Sequence, residues 1–103
     1  MLFEGGECLA IGAFNLEVIH TPGHTPGGVC FAEHTDRKLF TGDTLFRLTI
    51  GRTDFPGGSM EQMRDSLKKL AALEGDYEVF PGHDRSSRLS FEREHNTYMR
   101  MSL

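Results

Sequence analysis

Three side chains able to bind a metal ion or activate water stand in matching contexts. The stretch "LEVIHTPGH" ends in His24, "KLFTGD" ends in Asp43, and "YEVFPGH" ends in His83. Each is an apolar strand-like run, then a small or rigid breaker, then one imidazole or carboxylate. A side chain on a strand end or its following turn is held by the sheet, which gives the precision a metal site needs. Glycine lets the backbone turn sharply there, and proline fixes φ on the approach. Nitrogen and oxygen donors in this mixture suit zinc, manganese or iron better than calcium. A single histidine near a turn is ordinarily hydrogen-bonded or solvated, and an aspartate after glycine is ordinarily a turn former. Their repetition at three strand ends points to one shared site.

The remaining candidates read more plainly. His20 closes its strand and is expected to hydrogen-bond across "HTPGHTPGG", holding the loop that carries His24. His34 lies beside Asp36, Arg37 and Lys38, where a solvated role is expected. His95 follows Phe91 by one helical turn, where a structural role is expected. Cys8 and Cys30 lack CxxC spacing and a neighbouring activating histidine, so they read as two buried thiols in a reducing cytoplasm, not as nucleophiles.

The elements that must position these groups follow from patterning. "CLAIGAFNLEVIH" predicts two short strands joined by a turn, and "GVCFAEHTDRKLFTGD" a hairpin connected through "HTDR". Residues 49 to 58 read as a loop rich in Gly, Thr and Asp. Ser59 followed by Gln62 resembles a capping box that opens a helix through about Leu73, with Met63, Leu67 and Leu70 on one apolar face. "YEVF" is a last strand and "LSFEREHNTYMRM" a closing amphipathic helix. The expected class is α/β, a mixed sheet covered by helices, with residues 1 to 103 as a single domain.

Composition narrows the function. Eleven basic against fifteen acidic residues give a net charge of −4, without the basic footprint of nucleic-acid binding. No apolar run approaches membrane-spanning length, and "MLFEGGE" lacks the regions of a signal peptide, so a cytoplasmic protein is expected.

Taken in order, "HTPGHTPGG", "FTGDTLF", "GRTDFPGGS" and "FPGHD" resemble the metallo-β-lactamase superfamily, above all its glyoxalase II-like branch of hydroxyacylglutathione hydrolases. The resemblance covers nearly the whole chain. It implies that His24 binds a first metal, that Asp43 bridges two metals as the catalytic carboxylate, and that His83 binds the second. Arg52 falls where this branch places a basic residue near the thiol-derived part of its substrate. Its guanidinium suits a substrate carboxylate, and a surface pair with Asp54 is the equal alternative. The implied activity is hydrolysis of a thioester, glutathione-derived by analogy, by hydroxide held between zinc ions. "GRTDF" also resembles persulfide dioxygenases, so an iron enzyme is a second implied chemistry.

One departure bears on all of this. The HxHxDH run that precedes these motifs in the family does not occur here. The chain therefore resembles the C-terminal half of a four-layer αββα sandwich, and a non-catalytic metal-binding or structural half-module is the competing class. Such a half exposes the inner face of its sheet, with Leu16, Val18, Val29 and Phe31 as candidates for that surface. A homodimer or a complementing N-terminal half is expected to cover it.

Overall fold

The computed structural model describes residues 8–11 and 14–103, with side chains from Leu16 onward. Strands β1 (Cys8–Ile11), β2 (Phe14–His20), β3 (Val29–Glu33) and β4 (Lys38–Gly42) are followed by the short strands β5 (Leu45–Phe46) and β6 (Thr49–Ile50). Helix α1 (Met60–Ala71), strands β7 (Glu78–Pro81) and β8 (Ser87–Arg88), and helices α2 (Leu89–His95) and α3 (Thr97–Met101) complete the order. The main sheet runs β1-β2-β3-β4-β7-β8, and β5 pairs with β6 apart from it.

Strand direction explains the three matching strand ends. β2 is antiparallel to β3, β3 is antiparallel to β4, and β4 is parallel to β7. The C-terminal ends of β2, β4 and β7 therefore share one edge of the sheet. The turns carrying His24, Asp43 and His83 all leave from that edge.

Alternation along the strands gives the sheet two unlike faces. On one, Ile19, Cys30, Ala32, Leu39 and Val79 pack with Met63, Leu67 and Leu70 of α1 in a single core cluster. Each of these three helix side chains is fully buried and contributes on the order of 1.5–3 kcal/mol. Ser59 caps α1, its Oγ accepting from the Gln62 N–H at 3.2 Å. The helix ends at Ala71, two residues before the expected end, because Leu73 N–H bonds back to Leu70 at 3.2 Å and tightens the last turn. Leu89 and Met99 join the same core, so the closing segment lies on the α1 side.

The opposite face carries Leu16, Val18, Val29 and Phe31, as the alternation requires, and continues through Phe40 and Phe80. Its burial departs from expectation. Val18 is fully buried in the middle of β2, while Leu16, Val29 and Phe31 are half-buried. The open part lies further along, where Phe40 stays 39% exposed and stacks on Phe80 at 5.5 Å between ring centroids.

Four other features differ from the sequence reading. The expected loop over residues 49 to 58 begins inside the β5–β6 hairpin, and β8 was not anticipated; both strands are too short for a periodic signal. The closing helix breaks at Asn96 (φ −80°, ψ 109°), whose Oδ1 accepts from Met99 N–H and caps α3. His34 is not merely solvated. Its Nε2 donates to Glu17 at 2.8 Å and its Nδ1 lies 2.7 Å from the Tyr77 hydroxyl, tying the β3–β4 turn to the approach to β7.

Asp76 fixes the start of α2. Burial alone would raise its pKa. Donors from Tyr77 N–H (2.9 Å), Ser90 N–H (2.8 Å), Ser90 Oγ (3.0 Å) and Arg88 Nε (2.9 Å) outweigh this and hold it at about 2, below the ordinary 3.8. A depressed folded pKa contributes stability above about pH 4 that is lost as pH falls toward 2. Asp76→Asn is expected to flatten this acid limb in melting curves taken between pH 5 and 2. An unchanged slope contradicts the assignment.

Candidate metal centre

The loop from residue 21 to 28 is built to present one imidazole. Thr21 N–H bonds Gly28 at 2.8 Å and closes the loop at its base, and His20 Nε2 donates to Pro26 at 3.0 Å, the holding role expected of it. Helix α1 supports the outside. Ser59 N–H bonds Gly23 at 2.8 Å, Ser66 Oγ donates to Pro22 at 2.6 Å, and Lys69 Nζ to His20 at 2.9 Å. Gly23 is required here. It takes φ +145°, and a Cβ would sit 2.6 Å from the Met63 backbone.

His24 is then aimed by its own ring. Its Nδ1 donates to the Arg52 carbonyl at 2.7 Å, which turns Nε2 toward the cavity. A hydrogen bond of this type fixes both the tautomer and the ring plane of a ligating histidine. Nε2 lies 3.9 Å from Asp43 Oδ2.

Asp43 follows an irregularity in the parallel pairing. The β4–β7 register shifts between Phe40 and Gly42, and Gly42 takes φ +50°. A bulge of this kind re-aims the next side chain. Gly42 pairs with Pro81, so parallel pairing sets His83 beside Asp43, with His83 Nδ1 3.4 Å from Asp43 Oδ1. The His83 ring leans on Phe46 at 4.6 Å between centroids.

The two imidazoles thus face different oxygens of one carboxylate, which is 52% exposed. Among the described residues no three His, Cys, Asp or Glu side chains are grouped to hold one ion. The arrangement is one imidazole on either side of a carboxylate. The three open onto a cavity of about 540 Å³ walled by Phe46, Thr49, Ile50, Gly51 and Arg52.

Arg52 binds Asp54 through two parallel bonds, at 3.0 and 2.8 Å, and lies over Phe55 at 4.2 Å. Of the two sequence readings, the structure contains the pair with Asp54. The pair is exposed, and its hydrogen bonding raises the Arg52 pKa and lowers that of Asp54. A substrate carboxylate at Arg52 has either to displace Asp54 or to take the other edge of the guanidinium, Nη1 with Nη2.

A buried polar layer lies beneath the site. Thr21 Oγ1 is 3.3 Å from Cys30 Sγ and 3.2 Å from Thr44 Oγ1, and Thr41 Oγ1 donates to Leu45 at 2.6 Å. Burial pushes the Cys30 thiol from about 9 up to about 11, against weaker opposing contacts from Thr21 and Thr44. Cys30 is therefore a neutral packing group, consistent with its reading as no nucleophile. The Cys8 side chain lies outside the described residues. Because the unfolded thiol ionises first, stability is expected to fall as pH rises from about 9 to 11. Cys30→Ala should remove that part of the alkaline loss in chemical denaturation. Identical alkaline curves for the two chains contradict it.

The structure brings His24, Asp43, His83 and Arg52, the four residues singled out by the sequence, to one cavity, and adds Phe46, Thr49 and Ile50 as walls the sequence did not indicate. Their signal is only the position of a short hairpin after "FTGD".

The fold that delivers these strand ends is shared with a known superfamily, whose members are metal-dependent. Residues 2–83 match the metallo-beta-lactamase superfamily, and the chain belongs to that family. It is 42% identical over 97 residues to the hydroxyacylglutathione hydrolase GloC of Haemophilus influenzae, across 93% of this chain and 46% of that protein. The crystal structure of TTHA1623 in a di-iron-bound form superposes with a TM-score of 0.81 at 36% identity, covering 93% of this chain and 46% of that one. ETHE1 from Myxococcus xanthus superposes at 0.85 with 33% identity, covering 92% and 44%. The chain spans just under half the length of these relatives. No helix among the described residues is long and apolar enough to cross a membrane.

Proposed function

We propose that this chain supplies part of the binuclear metal site of a glyoxalase II-like thioester hydrolase, with His24, Asp43 and His83 as ligands. The observation that carries the reading is the placement of two imidazoles against opposite oxygens of Asp43, at 3.9 and 3.4 Å. The donor set fits zinc in kind, and iron or manganese equally. When bound, two such ions supply an activated water and a Lewis acid. The protein's own contribution is positional. The Arg52 carbonyl fixes the His24 ring, Phe46 seats His83, and the exposed carboxylate of Asp43 offers one oxygen to each side. Phe46 and Ile50 give the cavity an apolar wall against which an acyl group can shed water. Arg52, on exchanging Asp54 for a substrate carboxylate, anchors the thiol-derived end of a glutathione-type thioester.

The partner in this reading is the rest of the fold. The face around Phe40 and Phe80 is where an N-terminal half, or a second copy in its place, packs. Cys30, a free buried thiol, fits the reducing, cytoplasmic setting of this reading. A persulfide dioxygenase-like iron enzyme is the second reading, supported by the "GRTDF" run and by the likeness to a protein solved in a di-iron-bound form. A non-catalytic half-module is a third, supported by the lack of three ligands around one point among the described residues.

The test is hydrolysis of S-lactoylglutathione by the 103-residue chain, alone and mixed with a separately made segment bearing HxHxDH, in zinc. Turnover is expected from the mixture, lost on His83→Ala, and little from the chain alone. A metal-loaded mixture without turnover overturns the hydrolase reading. Robust turnover from the chain alone overturns the need for a partner.

A further inference from the structure

The loop bearing Arg52 and the ring of Phe46 both belong to the β5–β6 hairpin or its exit, so whatever fixes that hairpin fixes both imidazoles. We infer that a buried network of Ser87, Glu92 and Asn96 is this device, and that Glu92 and Asn96 are positioning residues for His24 and His83. Glu92 and Asn96 are fully buried, and Ser87 nearly so. Glu92 Oε1 accepts from the Leu48 N–H at 2.9 Å and from Asn96 Nδ2 at 2.9 Å, and Oε2 accepts from Ser87 Oγ. Asn96 Nδ2 also donates to Thr49 at 3.2 Å and reaches the Phe46 carbonyl at 3.5 Å.

The hairpin needs such a clamp. Its turn is only Arg47 and Leu48, and Leu48 sits at φ +63°, a left-handed conformation unfavourable for a branched side chain. The carboxylate of Glu92 receives the N–H of that strained residue, and Asn96 ties the strands on either side of it. From the clamped hairpin, Phe46 runs to the His83 ring at 4.6 Å, and the Arg52 carbonyl runs to His24 Nδ1 at 2.7 Å. Neither Glu92 nor Asn96 touches the cavity, so the network acts through these two contacts. Its purpose rests on reading the two histidines as ligands, but its geometry does not, and it is testable on the metal-free chain.

The experiment is long-range ¹H–¹⁵N spectroscopy of the histidine rings in the metal-free 103-residue chain, with the amide spectrum as the check on folding. Wild type should show His24 as a single tautomer protonated at Nδ1, and His83 ring protons shifted by the Phe46 ring current. Asn96→Ser keeps an oxygen to cap α3 but loses the amide reach to the hairpin. Glu92→Met keeps the volume and loses the acceptor. Both are expected to move His24 toward a mixture of tautomers and to reduce the His83 shift. Glu92→Gln, which still accepts from Leu48 and Asn96, should restore both signals. Arg93→Met is the control, since Arg93 ties α2 to the Ala71, Leu73 and Gly75 carbonyls without touching the hairpin. It should leave both signals in place. Unchanged ring signals in folded Asn96→Ser and Glu92→Met overturn the inference, and so does an equal change in Arg93→Met. Loss of the folded amide spectrum in both variants also overturns it, because the network then holds the fold and not the hairpin.

Discussion

Gly51→Ala is expected to lower the melting temperature by roughly 10–20 °C, from a destabilisation of about 3 kcal/mol. Its Cβ would stand 1.8 Å from the Asp43 carbonyl oxygen and 3.3 Å from His24 Cβ. The first of these is backbone, which cannot swing aside as a long side chain does. Gly51 also donates to Thr44 at 3.2 Å, so relief of the clash breaks the bond that closes the β5–β6 exit onto Asp43. The cost therefore falls on the site as well as on stability. Gly27→Ala is the matched control, because nothing lies within 4 Å of its added Cβ. A thermal melt by circular dichroism decides it. A Gly51→Ala chain melting within two or three degrees of Gly27→Ala contradicts the close packing described here.

Phe40→Glu is expected to abolish association of the chain. The Phe40–Phe80 stack lies on the sheet face turned away from α1, and Phe40 remains 39% exposed. Leu89 and Met99 carry the closing helices to the other side, so those helices do not cover it. Apolar patches of this kind usually mark an interface. Light scattering at micromolar concentration should give a mass above 11.6 kDa for the wild-type chain and 11.6 kDa for Phe40→Glu. A monomeric wild type that also fails to bind an added N-terminal half removes the interface.

Much of the site was legible because its signals are local. Gly23, Gly42 and Gly82 with Pro22 and Pro81 flag the turns after three apolar runs, and each turn carries its imidazole or carboxylate within two residues. That β2, β4 and β7 run the same way is a fact of pairing, and periodicity does not contain it. The helix start was legible in Ser59 and Gln62, where one side chain meets one backbone N–H three residues on. The closing break was not. Asn96 interrupts the helix because its amide serves Phe46 and Thr49, reached only through the tertiary fold, as well as Glu92 one turn back. His34 is exposed as expected, but its bond to Tyr77 was not legible for the same reason, since Tyr77 lies 43 positions away in the chain. Val18 was expected at an open surface and is buried, because face assignment follows from alternation whereas coverage depends on neighbouring strands. Arg52 stood between two readings, and Asp54 two residues on was already the shorter reach.

The central claim is that three strand ends deliver ligands to one metal site. Equilibrium dialysis of the chain against zinc, followed by elemental analysis, tests it most directly when wild type is compared with Asp43→Ala and His20→Ala. Asp43 stands between the two imidazoles, so its loss should lower affinity by about 100-fold, at or beyond the effect of removing an outer-shell partner. His20 only holds the loop through Pro26, so His20→Ala should retain most of the metal. Bound zinc in the wild type and His20→Ala, with little in Asp43→Ala, is the predicted result. Equal zinc in all three chains would contradict the account.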